Sequence, residues 1–203
     1  MKRQAAFARM AVFALLLGGC AGVGVPATDD PWKQYLYGCA LLEAGRTSRA
    51  EEMLRPALRH YERSDEYLRL AMVEMEWAKL IESPGFVIDG FFARQRAEMG
   101  GREALPQRAR EFNARAKANL LKALAAPPAQ ASPAERTQVL LFLIDAHARL
   151  GEKTEACATI ERAADAYRQA GGIPYPYAIY RAASVPEHLE SRRELYACGR
   201  QGS

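Results

Sequence analysis

Four cysteines and three histidines are the residues of this 203-residue chain best suited to nucleophilic or metal chemistry. His60, His147 and His188 lie far apart, and none shares a helical turn with a cysteine or a second histidine, the spacing a zinc site prefers. The chain has no G-x-S-x-G nucleophile elbow, no phosphate-cradling glycine loop and no H-E-x-x-H pair. Carboxylate pairs such as Glu51 with Glu52, or Glu74 with Glu76, sit among other charges and read as solvated helix faces. The expectation is therefore no enzyme, no metal and no cofactor. The cysteine in a distinctive setting is Cys20.

Lys2, Arg3 and Arg9 precede an uncharged run from Met10 to Gly19, and that run ends at Cys20. The apolar stretch is about ten residues, whereas a membrane-spanning helix needs roughly 20, so the segment reads as an export signal and not as an anchor or a fold element. Leu17-Gly18-Gly19-Cys20 resembles the lipobox of bacterial lipoproteins, where small residues give a peptidase access to the bond before cysteine. The resemblance implies a thioether diacylglycerol and an acylated amino group on Cys20. Several acyl chains bind a membrane far more firmly than one. The next residue is Ala21 and not the aspartate that favours inner-membrane retention, which implies the outer membrane, with the remaining chain facing the periplasm. The alternative is an ordinary secretory signal cut at another bond, with Cys20 incidental.

Removing residues 1–19 takes away three basic residues and no acidic ones, so Lys plus Arg falls from 28 to 25 against 24 Asp plus Glu. The basicity of the whole chain is mostly the export signal, and nothing remains that calls for nucleic acid. The 184 residues left are enough for one domain with a real core. Residues 20–30 form a lipidated tether, small and turn-rich. Ala21 to Asp30 spans at most about 35 Å fully extended, which keeps residues 31–203 close to the membrane surface.

From Asp30 onward the composition, rich in Ala, Leu, Glu and Arg, predicts an all-α domain. Asp30-Pro31 supplies an N-cap followed by Pro at the first helical position, and Ser48-Arg49-Ala50-Glu51 and Ser132-Pro133-Ala134-Glu135 both match the capping box. Gly45, Gly151 and Gly171 stand where helices should stop. The segment from Tyr67 to Ile81 is apolar around nearly its whole circumference, as for a helix buried on several sides.

Two stretches resemble tetratricopeptide repeats, 34-residue units of two antiparallel helices. Tyr37, Gly38, Leu41, Gly45, Ala50, Leu54 and Ala57 fall at the signature spacings, as do Leu143, Ile144, His147, Gly151, Ala156, Ile160 and Ala163. Gly45 and Gly151 are 106 residues apart, about three repeat lengths. The resemblance implies a helix-pair solenoid with units at about 31–63, 64–128 and 132–171 and a C-terminal capping helix within 177–198. The central unit would join a helix over 65–81 to one over 107–125, where Ala116, Leu120, Ala123 and Pro128 fit the second half of the signature, with residues 82–106 inserted between them.

In this family the first helix of each pair lines a concave face that holds a peptide or a helix. Carried over position by position, that face comprises Trp32, Tyr35, Cys39, Leu42 and Glu43 in the first unit. The central unit gives Glu66, Arg69, Val73, Glu76 and Trp77, and the last gives Gln138, Leu141, Asp145, Ala148 and Arg149. Aromatic and arginine side chains are common interface anchors, which singles out Trp32, Tyr35, Trp77 and Arg149. Trp32 and Trp77 would serve equally well as core.

The insertion carries Pro84-Gly85-Phe86-Val87-Ile88-Asp89-Gly90-Phe91-Phe92, an aromatic cluster between glycines. It either folds back to seal the core, lies over the concave face, docks on a partner or meets the membrane. Gly171 to Tyr177 reads as an irregular connector or a rigid recognition strand. The cap expected against the third unit brings Cys157 and Cys198 together as a disulfide suited to an oxidising compartment, leaving Cys39 reduced and buried. The function these features imply is a membrane-anchored scaffold for another envelope protein or peptide. It would be similar to the repeat lipoproteins that help build outer-membrane machines, such as pilotins and the helical partner of the β-barrel insertase. The rival is a carrier of a small apolar ligand or lipid beneath the aromatic insertion.

Overall fold

Several helix starts in this chain are set by short polar side chains. Asp30 accepts the backbone N–H groups of Trp32 and Lys33, and Pro31 follows at the first helical position. Ser132 and Glu135 cap each other's backbone reciprocally, and Ser184 accepts from Glu187 N. Ser48 does not play this part, because the helix already begins at Thr47 and its N-cap, Arg46, makes no side-chain capping bond. The Thr47 hydroxyl lies instead against Ser83 Oγ, which pulls the helix start toward the inserted segment.

The computed structural model describes residues 26–125, 132–171 and 184–199. The signal segment, Cys20, most of the tether, Pro128, the connector after Gly171 and the first part of the cap region lie outside them. Among the described residues there are nine α-helices and no strand. They are α1 (Pro31–Glu43), α2 (Thr47–Tyr61), α3 (Tyr67–Glu82), α4 (Pro84–Ile88), α5 (Ala93–Glu98), α6 (Leu105–Ala125), α7 (Pro133–Leu150), α8 (Lys153–Gln169) and α9 (Val185–Tyr196).

Three packed pairs make up most of the molecule: α1 with α2, α3 with α6, and α7 with α8. The first and last are hairpins closed by short turns, at Gly45 (φ +70°) and Gly151 (φ +80°), left-handed conformations glycine takes without steric cost. Gly38 brings α1 close to α2, since a Cβ there would meet Leu54 Cγ and Cδ2 at 2.6 Å. The middle pair is also antiparallel, because Tyr67 faces Lys122, Glu74 faces Asn119 and Trp77 faces Phe112. α2 packs on α3 and α6 on α7, so the pairs follow one another, and α9 covers α8.

One continuous core runs through the pairs. Every residue of α3 from Leu70 to Ala78 is buried, because α2 and α6 cover it from two sides. That environment overturns the solvated reading of its carboxylates. Glu74 (3% exposed) accepts from Asn119 Nδ2 at 2.9 Å and pairs with Arg115 at 3.1 Å, both from α6, and Glu76 is buried beside Lys79. Burial pushes the Glu74 carboxyl up from its ordinary value, with Asn119 and Arg115 opposing. Glu51 is likewise buried, bound to Arg55 and approached by Gln95 of the inserted segment, whereas its neighbour Glu52 is exposed and pairs with Arg49.

The inserted segment folds onto α2 and α3 as short turns: α4, a 3₁₀ turn at Gly90–Phe92, α5 and a second 3₁₀ turn at Arg102–Ala104. Phe86 and Phe92 are fully buried with ring centroids 4.5 Å apart. Arg96 is buried behind them and donates to the carbonyls of Phe86 (2.7 Å) and Asp89 (2.6 Å). Gly85 sits so close to Thr47 that a Cβ would meet its Oγ1 at 2.3 Å. Ile88 and Phe91 point outward and are well exposed.

Candidate partner-binding cleft

The alternation of helix directions gathers the N-terminal ends of α3 and α7 and the C-terminal end of α6 at one side of the molecule. Between them lies an open cleft of about 770 Å³. Half-buried Leu68 and Leu124 give it an apolar floor, with Met72 and Val139 buried beneath them. Its rim is charged: Asp65, Glu66 and Arg69 on the α3 side, Lys122 from α6, and Glu135 and Arg136 from α7.

Much of this charge is already engaged. Arg69 Nη1 pairs with Glu66 at 2.7 Å, and its guanidinium lies 5.3 Å over the Trp32 ring, which in turn stacks on Tyr35 with centroids 5.0 Å apart. Glu135 accepts from both the N–H and the hydroxyl of Ser132. Asp65 meets the Tyr67 hydroxyl at 3.5 Å. Lys122 lies 5.3 Å from the Tyr67 ring centroid. Among the described residues, neither Lys122 nor Arg136 has a carboxylate within ion-pairing distance.

Of the fifteen residues assigned to the concave face and its anchors, Glu66, Arg69 and Gln138 line the cleft and Trp32 supports it from beside Arg69. Leu42 and Glu43 stand at the far end of α1, half-buried and exposed respectively. Seven others are corrected by burial, Cys39 and Val73 among them. Tyr35 and Leu141 are fully enclosed, and Trp77 is wedged between α2 and α6, with Arg55 5.6 Å over its ring and Phe112 6.4 Å away. Glu76 is held by Lys79, and Asp145 by Arg192 at 2.9 Å. Arg192 belongs to α9, so that helix covers Asp145. Arg149 is turned inward toward the Met75 carbonyl, at 3.4 Å.

Sequence reasoning missed Leu68, Met72, Lys122, Arg136 and Val139 as cleft residues. Leu68 and Met72, four apart, share a helix face, but a helix apolar on every side gives no sign of which face stays open. Lys122 and Arg136 belong together only once α6 and α7 pack side by side.

Two further polar arrangements clamp the helices. Glu152, at the α7–α8 turn, takes Lys117 Nζ of α6 at 2.6 Å and His147 Nδ1 of α7 at 2.6 Å. The Lys117 hydrogen bond, with His147 adding to it, holds the Glu152 carboxyl below its ordinary value against a desolvation cost. At the other edge, Cys157 of α8 and Cys198 just past α9 form a disulfide with Cα atoms 5.6 Å apart. Cys39 is a buried free thiol, raised far above its usual titration range by burial, with Glu76 adding to the effect. Among the described residues, no group of three His, Cys, Asp or Glu side chains is placed to hold a metal ion, and no helix is long and apolar enough to cross a membrane.

The space beneath the aromatic insertion, where a carried ligand would sit, is filled by Phe86 and Phe92. Comparison with protein-family models, with curated proteins and with solved structures finds no match.

Proposed function

We propose that this chain is an envelope lipoprotein, anchored to the outer membrane through lipid on Cys20, whose tetratricopeptide-like helix pairs hold another envelope protein. The observation that carries the reading is the open cleft between successive pairs, with an apolar floor and a charged rim. That combination suits a protein segment better than a reacting small molecule. The sequential pairing α1–α2, α3–α6 and α7–α8, with α9 closing one edge, supports the solenoid, since such units are stable only when neighbours cover their apolar faces. The lipobox-like residues ending at Cys20 support the anchor.

Two measurements test this. Cells expressing the chain should incorporate radiolabelled palmitate into it, and Cys20→Ser should abolish the label. If the wild-type chain stays unlabelled and keeps its leader, the anchor is wrong. A photo-crosslinking residue in place of Gln138 should trap a discrete envelope protein. Crosslinking at an exposed control position such as Arg110 should not. Equal capture at both sites would remove the cleft from the proposal.

A further inference from the structure

The contacts that hold α9 to the rest of the chain are unevenly spread along it, and one of them is covalent. We infer that the Cys157–Cys198 disulfide is a redox modification site: oxidised, it closes α9 over Asp145; reduced by a dithiol donor, it lets the second half of α9 lift away and uncover that carboxylate. This device needs neither the lipid anchor nor an occupant of the cleft.

The buried face of α9 lies in its first half. Val185, His188 and Leu189 are buried, and no residue of the helix beyond Leu189 is. Tyr196 and Cys198 rest half-buried against the edge of the core, and Leu195 is well exposed. Across this second half the ion pairs to neighbouring helices are Arg192 with Asp145 and Arg193 with Glu161, both at 2.9 Å. The Glu161 side chain is open to solvent, where an ion pair adds little. Arg192 Nε is enclosed without a hydrogen-bond partner among the described residues, an unmet donor that weakens the docked state. A helix of 12 residues does not persist alone once undocked. The sulfur bond therefore decides, since closing a loop over 41 positions favours the docked arrangement by roughly a thousandfold through chain entropy.

The bond is also placed to be reached. Both cysteines are half-buried, and with Lys153, Thr154 and Tyr196 they border a shallow depression of about 110 Å³. A lysine ammonium at such a site favours thiolate over thiol, both in the attacking group and in the sulfur that leaves. One thiolate of the dithiol attacks a sulfur of the pair, the S–S bond breaks and the other sulfur departs as thiolate. The second thiolate of the donor then attacks the mixed disulfide, so the donor leaves as a disulfide. Two electrons pass to the chain, and two protons from solvent make Cys157 and Cys198 thiols.

Purified full-length protein, treated with dithiothreitol in native buffer and followed by hydrogen exchange, tests this. Once both thiols are free, amides within Glu190–Cys198 should exchange about tenfold faster or more, while those of α3 and α6 keep their rates. Reoxidation should restore the slow rates. Carbodiimide labelling should reach Asp145 in the reduced protein and not in the oxidised one. Cys157→Ser combined with Cys198→Ser should give the same two signatures without reductant. A disulfide that yields to thiol only after urea has unfolded the chain overturns the inference, because the bond is then a permanent staple. So does an α9 that keeps its slow exchange, with Asp145 still shielded, after full reduction of the wild-type chain. Loss of protection spread evenly over all the helices overturns it as well, since the bond would then hold the whole fold and not one helix.

Discussion

A glycine at position 38 decides how closely the first two helices approach. Alanine is the better helix former by about 1 kcal/mol, so in an isolated helix Gly38→Ala would stabilise. Here the new Cβ would lie 2.6 Å from Leu54, and overpacking of this kind costs about 1–3 kcal/mol. The expected outcome is a lower urea midpoint for Gly38→Ala, partly recovered when Leu54→Val is added. A variant as stable as the wild type would mean the two helices slide apart freely. Gly38 was legible in the sequence because it falls at a repeat-signature spacing, as were Gly45 and Gly151 as helix stops. Ser48 was misleading, because the capping pattern is also satisfied by residues already inside a helix. Ala197 gave no signal at all: it takes the left-handed conformation (φ 53°) after α9, where a glycine would be the usual choice.

At the scale of elements, the clamp at Glu152 ties α6 and α7 to the turn that opens α8. Its carboxyl titrates lower in the folded chain than in the unfolded one. The stabilisation is therefore fully present above the ordinary value of 4.5 and is lost as pH falls through the lower folded value. Glu152→Gln should lower the thermal midpoint at pH 7, and the gap to wild type should close on acidification; a constant gap would show that shape and not charge matters there. The inserted segment makes a second contrast within one short motif. Phe92→Ala, which empties a filled site against Phe86, is expected to cost about 3–5 kcal/mol. Phe91→Ala, at 60% exposure, is expected to stay within about 0.5 kcal/mol of wild type. Sequence alone showed that this cluster was unusual but not which phenylalanine turned inward. That choice depends on Arg96 gathering two carbonyls and on Gly85 fitting against Thr47, contacts between residues distant in the pattern.

For the whole molecule, the all-helical class was readable from composition, caps and glycine stops, because those are local signals. The working face was much less readable. The repeat resemblance led to expected contacts on the first helix of each pair, yet α9 covers Asp145 through Arg192, and α2 and α6 enclose Trp77. What stays open is set by which helix ends meet, and no single helix encodes that. The cleft also lies at the side where α1 begins, since Arg69 reaches Trp32 in the first turn of that helix. A tether leaving from Asp30 would therefore hold the cleft toward the anchoring surface, within about 35 Å of it. Lengthening residues 21–30 with Gly and Ser should weaken crosslinking at Gln138 to a partner fixed in the same membrane; unchanged capture would mean the partner comes from solution.

The sulfur bridge between Cys157 and Cys198, 41 positions apart, makes residues 157–198 a covalent ring. A protease that cuts once within that ring leaves both pieces attached. Nicked protein should run as a single band on a non-reducing gel and separate into two only when thiol is added. In an environment crowded with hydrolases, a chain closed in this way can be cut once at its last connection and still keep its final helix.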